Sequence, residues 1–151
     1  MTGVTSIDRS VEKTNEWLRQ TAAELGRPDD RGYAFRVLRA FLHTLRDRLP
    51  VDDAAHLAAQ LPELLRGVYY EGWRPSSTPR PYHDLATFLA LFAREALLAG
   101  DTEAIFAAEA VARVLGHHIT EGEVSKVRAV LPRGIAAVLA GGRSGDLSGT
   151  R

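Results

Sequence analysis

LPVDDAAHLAAQLPELLRGVYYEGWRP, residues 49–75, and ITEGEVSKVRAVLPRGIAAVL, residues 119–139, decide how this 151-residue chain is read. Slid by 70 residues, the first stretch falls on the second with apolar side chains on apolar side chains. Leu57 meets Val127, Leu61 meets Leu131, Leu65 meets Ile135 and Val68 meets Val138. The Leu-Pro step carries the most weight. Proline is tolerated in few places of a helical protein, so Pro62 matched to Pro132 is harder to reach by chance than matched leucines. Sequence repeats at a fixed offset point to a repeated structural unit.

Working outward, the same offset holds upstream: Ala34 on Ala104, Ala40 on Ala110, Phe41 on Val111, Leu45 on Leu115 and Leu49 on Ile119. It fails in the first helix of each half. Leu18 falls on Phe88 and Ala22 on Phe92, but Leu25 falls on Glu95, which places an insertion or deletion near the Gly26 turn.

Helix formers dominate and alternating β-branched runs are missing, so the spacing predicts helices throughout. A first helix is expected over 6–25, ended by Gly26, a residue suited to a left-handed stop. Asp29 or Asp30 caps a second, whose apolar stripe runs from Ala34 through Val37, Leu38, Phe41 and Leu45 to Leu49, with Pro50 ending it. Asp52 or its neighbour starts a short third helix, and Pro62 opens a fourth ending near Tyr70. Helices over 83–98, 102–117, 120–131 and 132–139 repeat that order.

The fold class expected is therefore all-α: about eight helices in two tandem four-helix units packed into one bundle-like domain over 6–140. Repeat one covers 6–73 and repeat two 83–140. RPSSTPRPY, residues 74–82, holds three prolines and three Ser/Thr hydroxyls, so it reads as a connector and the hinge between the halves. Residues 141–151, Gly- and Ser-rich and almost without apolar side chains, are expected to form a mobile tail.

At this point the residues resemble a known family. The acidic pair Asp52 and Asp53 at a helix start, the step Leu57 to Pro62, and the Gly72-Trp73 ending are similar to the pattern of the bacterial domain of unknown function family 2267 (DUF2267). The resemblance covers roughly residues 11–140. It implies a tandem helical domain and brings no catalytic residues with it.

Composition narrows the function classes. Lys plus Arg and Asp plus Glu balance at 19 each, so there is no global field to draw the chain to phosphates or an anionic membrane. With no cysteine, thiolate nucleophiles and cysteine-based metal sites are excluded. The first residues lack a basic stretch followed by an apolar run, and no apolar stretch is long enough to span a membrane. These features fit a cytoplasmic protein, and the Arg- and Ala-rich composition fits a GC-rich bacterial genome.

No residue set reads as catalytic. The five histidines show no HxxxH, HExxH or ExxH spacing, and His117 and His118 are adjacent, so no metal site is expected. GxSxG, P-loop and GxGxxG motifs are missing, so no nucleotide or other cofactor is expected. The acidic pairs sit where helices begin and read as caps.

Two clusters remain as candidate partner-binding residues. Arg36, Arg39, His43 and Arg46 recur at steps of three, four and three, laying three guanidiniums and an imidazole along one helix face. That stripe suits phosphates or an acidic helix, or else is a solvated face whose charges pair with Asp47 or Glu109, which is the expected reading. Tyr69, Tyr70 and Trp73 crowd three aromatics beside the connector, either as a partner anchor or, as expected, closing the first half on the second.

The leading expectation is a non-enzymatic helical interaction or scaffold protein with a protein partner of unknown identity. The alternative is a small-molecule binder with an apolar pocket lined by Phe35, Phe41, Phe88 and Phe92. Weaker still is nucleic-acid binding through the Arg36, Arg39 and Arg46 face.

Overall fold

The computed structural model describes residues 3–140; the stretch read as a mobile tail lies outside them. Within them the chain is all-helical: α1 (Thr5–Glu24), α2 (Arg31–Arg48), α3 (Val51–Ala58), α4 (Glu63–Tyr70), α5 (Leu85–Ala96), α6 (Asp101–His118), α7 (Glu121–Ala129) and α8 (Arg133–Ala140), with a single 3-10 turn at Pro75–Ser77.

The stops and starts follow the local chemistry. Asp30 caps α2 by accepting from the Tyr33 amide, Asp84 caps α5 by accepting from the Thr87 amide, and Thr120 caps α7 through Glu123. Each satisfies one of the amides that a helix start leaves without an intrahelical partner. Pro50 and Pro62 stand immediately before α3 and α4, where a missing amide costs nothing.

The helix that ends at Glu24 turns through Gly26 at φ +77°, closed by a bond from the Arg27 amide to the Ala22 carbonyl. The helix that ends at Ala96 makes the same turn through Leu97 at φ +60°, closed from Leu98 to Ala93. From that left-handed residue to the next helix start takes one residue more in the first half than in the second. Reading α1 against α5 at an offset of 71 therefore restores the register. Trp17 then matches Phe88, Leu18 matches Leu89 and Leu25 matches Ala96, and all but the half-buried Leu18 are core residues.

α1, α2, α5 and α6 form the centre, and the contacts cross between halves: α1 packs on α2 and α6, and α5 packs on α6 and α2. α4 lies on α2 and α1, as α8 lies on α6 and α5, and α3 touches α7. One hydrophobic core runs through all of it. Phe41, Phe88 and Phe92 sit at its heart, fully buried, with Phe41 meeting the other two edge to face at 5.8 and 5.5 Å. They pack into one another rather than lining a pocket, and Phe35 is 37% exposed, so the four-phenylalanine cavity of the small-molecule reading does not form.

The connector is tied down after its turn. The Arg80 amide donates to the Asp47 carbonyl at 2.9 Å, and Arg48 Nε donates to the Tyr82 carbonyl at 2.7 Å. Both tethers hold residues 80–82 against the last turn of α2. Among the described residues no helix is long and apolar enough to cross a membrane.

Candidate functional site

Arg36, Arg39, His43 and Arg46 lie along α2 where the C-terminal ends of α4 and α5 reach it. Arg46 Nη1 donates to the carbonyls of Tyr69 at 2.7 Å and Glu71 at 2.6 Å, while its Nε pairs with Asp47 at 2.8 Å. His43 contacts the Val68 carbonyl through Nε2 and the Glu95 carboxylate through Nδ1, both at 2.7 Å. Arg36 Nε donates to the Ala96 carbonyl at 2.6 Å. Arg39 pairs with Glu71 at 2.9 Å and remains substantially exposed.

The physical reason is the helix end. The last four carbonyls of a helix have no intrahelical donor and carry the negative end of its dipole, so cations aimed at them satisfy hydrogen bonds and charge together. The stripe is a shared cap for α4 and α5. The expected solvated face survives only at the exposed Arg39, the expected pair of Arg46 with Asp47 forms within the cap, and the buried His43 and Arg46 are not open to a partner.

The aromatic cluster is also drawn inward. Tyr69 is fully buried, its hydroxyl donating to the Ala54 carbonyl at 2.8 Å, and burial pushes that phenol well above the ordinary tyrosine range. Tyr69 is thus closed to any partner. Tyr70 and Trp73 are half-buried, stacked at 5.1 Å and packed on the core, with the buried Trp73 Nε1 lacking a partner.

Beside these residues, α2, α5 and the connector enclose a two-lobed cleft. Its inner lobe, about 190 Å³, is walled by Thr44, Tyr82, Leu91, Arg94 and Glu95, and its outer lobe, about 280 Å³, by Gly72, Arg74, Ser77, Thr78 and Pro81. Asp47 and Arg80 line both. The buried Tyr82 hydroxyl has no hydrogen-bond partner among the described residues, and burial pushes its pKa up to about 12 against the lowering by Arg48 and Arg80. Sequence reading missed this cleft, because its parts come from three segments. The signal available was Arg74 and Arg80 flanking the prolines of the connector.

At the opposite end of the first half, α1 and α4 meet through a bond from the Leu64 amide to the Ser10 hydroxyl at 3.1 Å. Four aliphatic side chains on these two segments stay exposed: Val4, just before α1, Ile7 and Val11 on it, spaced three and four apart, and Leu64, all between 39% and 49% exposed. Farther along α1, Trp17 stacks on His118 at 4.5 Å, and His118 Nε2 meets Gln20 at 2.6 Å. Burial lowers the His118 pKa, with Glu16 opposing.

The class these features define is an all-helical domain with its polar side chains spent largely on helix ends and inter-helix ties. The model of the uncharacterized conserved protein family DUF2267 matches residues 14–138, and the chain belongs to that family. No curated protein matches it.

Proposed function

We propose that the protein is a non-catalytic interaction module that docks an amphipathic helix of a protein partner on the outer face of α1 and the start of α4. The observation that carries this reading is the ridge of Val4, Ile7 and Val11 beside Leu64, four large aliphatics held exposed on two packed helices. A helix partner reads such a ridge through its own side chains spaced three and four apart. Grouped exposed aliphatic surface on a helical scaffold is the usual mark of an interaction site, whereas isolated exposed residues are not. The reading also takes residues 5–70 and 85–140 as two copies of one helical unit, for which the 70-residue displacement of α2 to α6 and of α4 to α8 is the support. It sets the protein in a bacterial cytoplasm, supported by the cysteine-free, Arg- and Ala-rich composition.

The test uses the purified chain and Ile7→Glu, Val11→Glu and Leu64→Glu variants. A partner captured by the wild type, then purified, should bind one to one in calorimetry and lose at least tenfold in affinity to each variant. An unchanged affinity in all three overturns the reading, as does light scattering that shows the face buried between two copies of this chain.

A further inference from the structure

The cleft between α2, the connector and α5 differs from the stripe above it in one respect: its cations are not spent. The side chains of Arg74, Arg80 and Arg94 have no hydrogen-bond or ion-pair partner among the described residues. Arg80, held by its backbone alone, stands between the two lobes, with Arg94 in the inner and Arg74 in the outer.

Two carboxylates share the cleft, and both are already engaged. Asp47 is paired with Arg46 at 2.8 Å, and Glu95 with His43 at 2.7 Å. Three free guanidiniums therefore face two carboxylates that already have cationic or proton-donating partners, and the surplus in the cleft is positive. A low-dielectric wall strengthens such a field relative to open water, and Leu91 and Pro81 supply part of one.

A second feature points the same way. Tyr82 lines the inner lobe, and its hydroxyl is buried behind that wall with no hydrogen-bond partner among the described residues. Leaving a buried donor unsatisfied is unfavourable, so a small movement of the ring that brings an acceptor in the cleft within reach is favoured. Ser77 and Thr78 line the outer lobe, the Thr78 hydroxyl already donating to the Pro75 carbonyl at 3.0 Å.

We propose that this cleft binds a small phosphomonoester, its phosphate held by Arg80 with Arg94 in the inner lobe, Arg74 adding positive charge from the outer lobe, and its organic body resting against Leu91 and Pro81. A carboxylate presents two oxygens to one guanidinium fork, whereas a tetrahedral phosphate dianion accepts from several donors arriving from different directions. Arg80 from the connector and Arg94 from α5, reaching the inner lobe from different segments, fit the second geometry. This site is independent of the α1 face and stands whether or not that face docks a helix.

The test is calorimetric titration of the full chain, at low ionic strength, with inorganic phosphate, glucose 6-phosphate, glucuronate and glucose. The variants are Arg80→Ala and Arg94→Ala, whose side chains hold no other element and whose folding is checked by thermal melting. Saturable binding of either phosphate compound, weakened at least tenfold in both variants and tighter than that of glucuronate, is the expected result, with no binding of glucose. Absence of saturable binding by both phosphate compounds overturns the proposal. So does affinity that survives in both variants, or glucuronate binding as tightly as glucose 6-phosphate.

Discussion

Residues 5–70 and 85–140 each run through four helices, yet they spend their charges differently. α2 and α6 share a length and a 70-residue displacement, as do α4 and α8. Their inward positions are interchangeable, Phe41 for Val111 and Leu65 for Ile135, all buried. On the outer face the match ends. Where α2 carries Arg36, Arg39, His43 and Arg46, α6 carries Phe106, Glu109, Arg113 and Gly116. Apolar register fixes how the helices pack, while the polar side chains, free of that register, decide which helix ends are held and which cations are left over.

One polar tie is nevertheless kept. His43 reaches Glu95 from α2 to α5, and Arg113 reaches Glu24 at 2.6 Å from α6 to α1, so matched positions carry matched pairs. Each joins one half to the other.

The sharpest contrast is Arg46 against Arg113. Arg46 is buried and holds three acceptors, so Arg46→Ala should cost about 3 kcal/mol, because truncating one partner of a buried charge network strands the others. Arg113 and Glu24 are each about a third exposed, and Arg113→Ala should cost under about 1 kcal/mol. Urea unfolding of both variants checks the pair. Equal losses would dissolve the distinction between the halves.

The two left-handed turns give a smaller, opposite-signed pair. Gly26→Ala places a Cβ at φ +77° and should destabilise by about 1 kcal/mol, while Leu97→Gly relieves the same strain at φ +60° and should stabilise by up to about 1 kcal/mol. Thermal melts of the two variants would read this directly. A stabilised Gly26→Ala would show the turns are not alike.

Smallest is a pH effect at the ends of α2 and α6, where Arg48 matches His118. Because burial lowers the folded His118 pKa below its ordinary 6.5, its contribution to stability is full above that pH. The contribution is lost as pH falls from there toward the folded value. His118→Gln should flatten the stability difference between pH 7.5 and pH 5.5, measured by urea unfolding. Arg48, charged throughout, adds no such slope. A variant whose slope matches the wild type would assign the pH dependence elsewhere.

Much of the helix plan was legible because it rests on local chemistry. Pro50, Pro62 and Pro132 punctuate helices by the amide they lack, and Asp30 caps one by the carboxylate it offers, whereas the cap at Asp84 lay inside the helix expected from residue 83. Gly26 marked the place where the register slips. Its counterpart did not show itself, because leucine is no stop signal and only the closing bond from Leu98 to Ala93 reveals the turn. The stripe on α2 was legible as a face but not as a cap. Charged side chains are usually solvated, and nothing local to α2 says that the ends of α4 and α5 cross it. The cleft was less legible still, since Arg80, Tyr82 and Arg94 meet only through the tethering of the connector to α2.

That the halves interlock, with α1 on α6 and α2 on α5 around one core, is the claim on which the comparison depends. Both tryptophans, Trp17 and Trp73, lie in the first half, so their fluorescence reports that half and, through the stack of Trp17 on His118, its contact with α6, whereas far-UV circular dichroism reports all eight described helices. Urea unfolding followed by both signals should give one coincident transition with the same midpoint, as a single cooperative unit does. Two transitions, with fluorescence and dichroism separating, would mean that the halves unfold independently and would contradict the shared core.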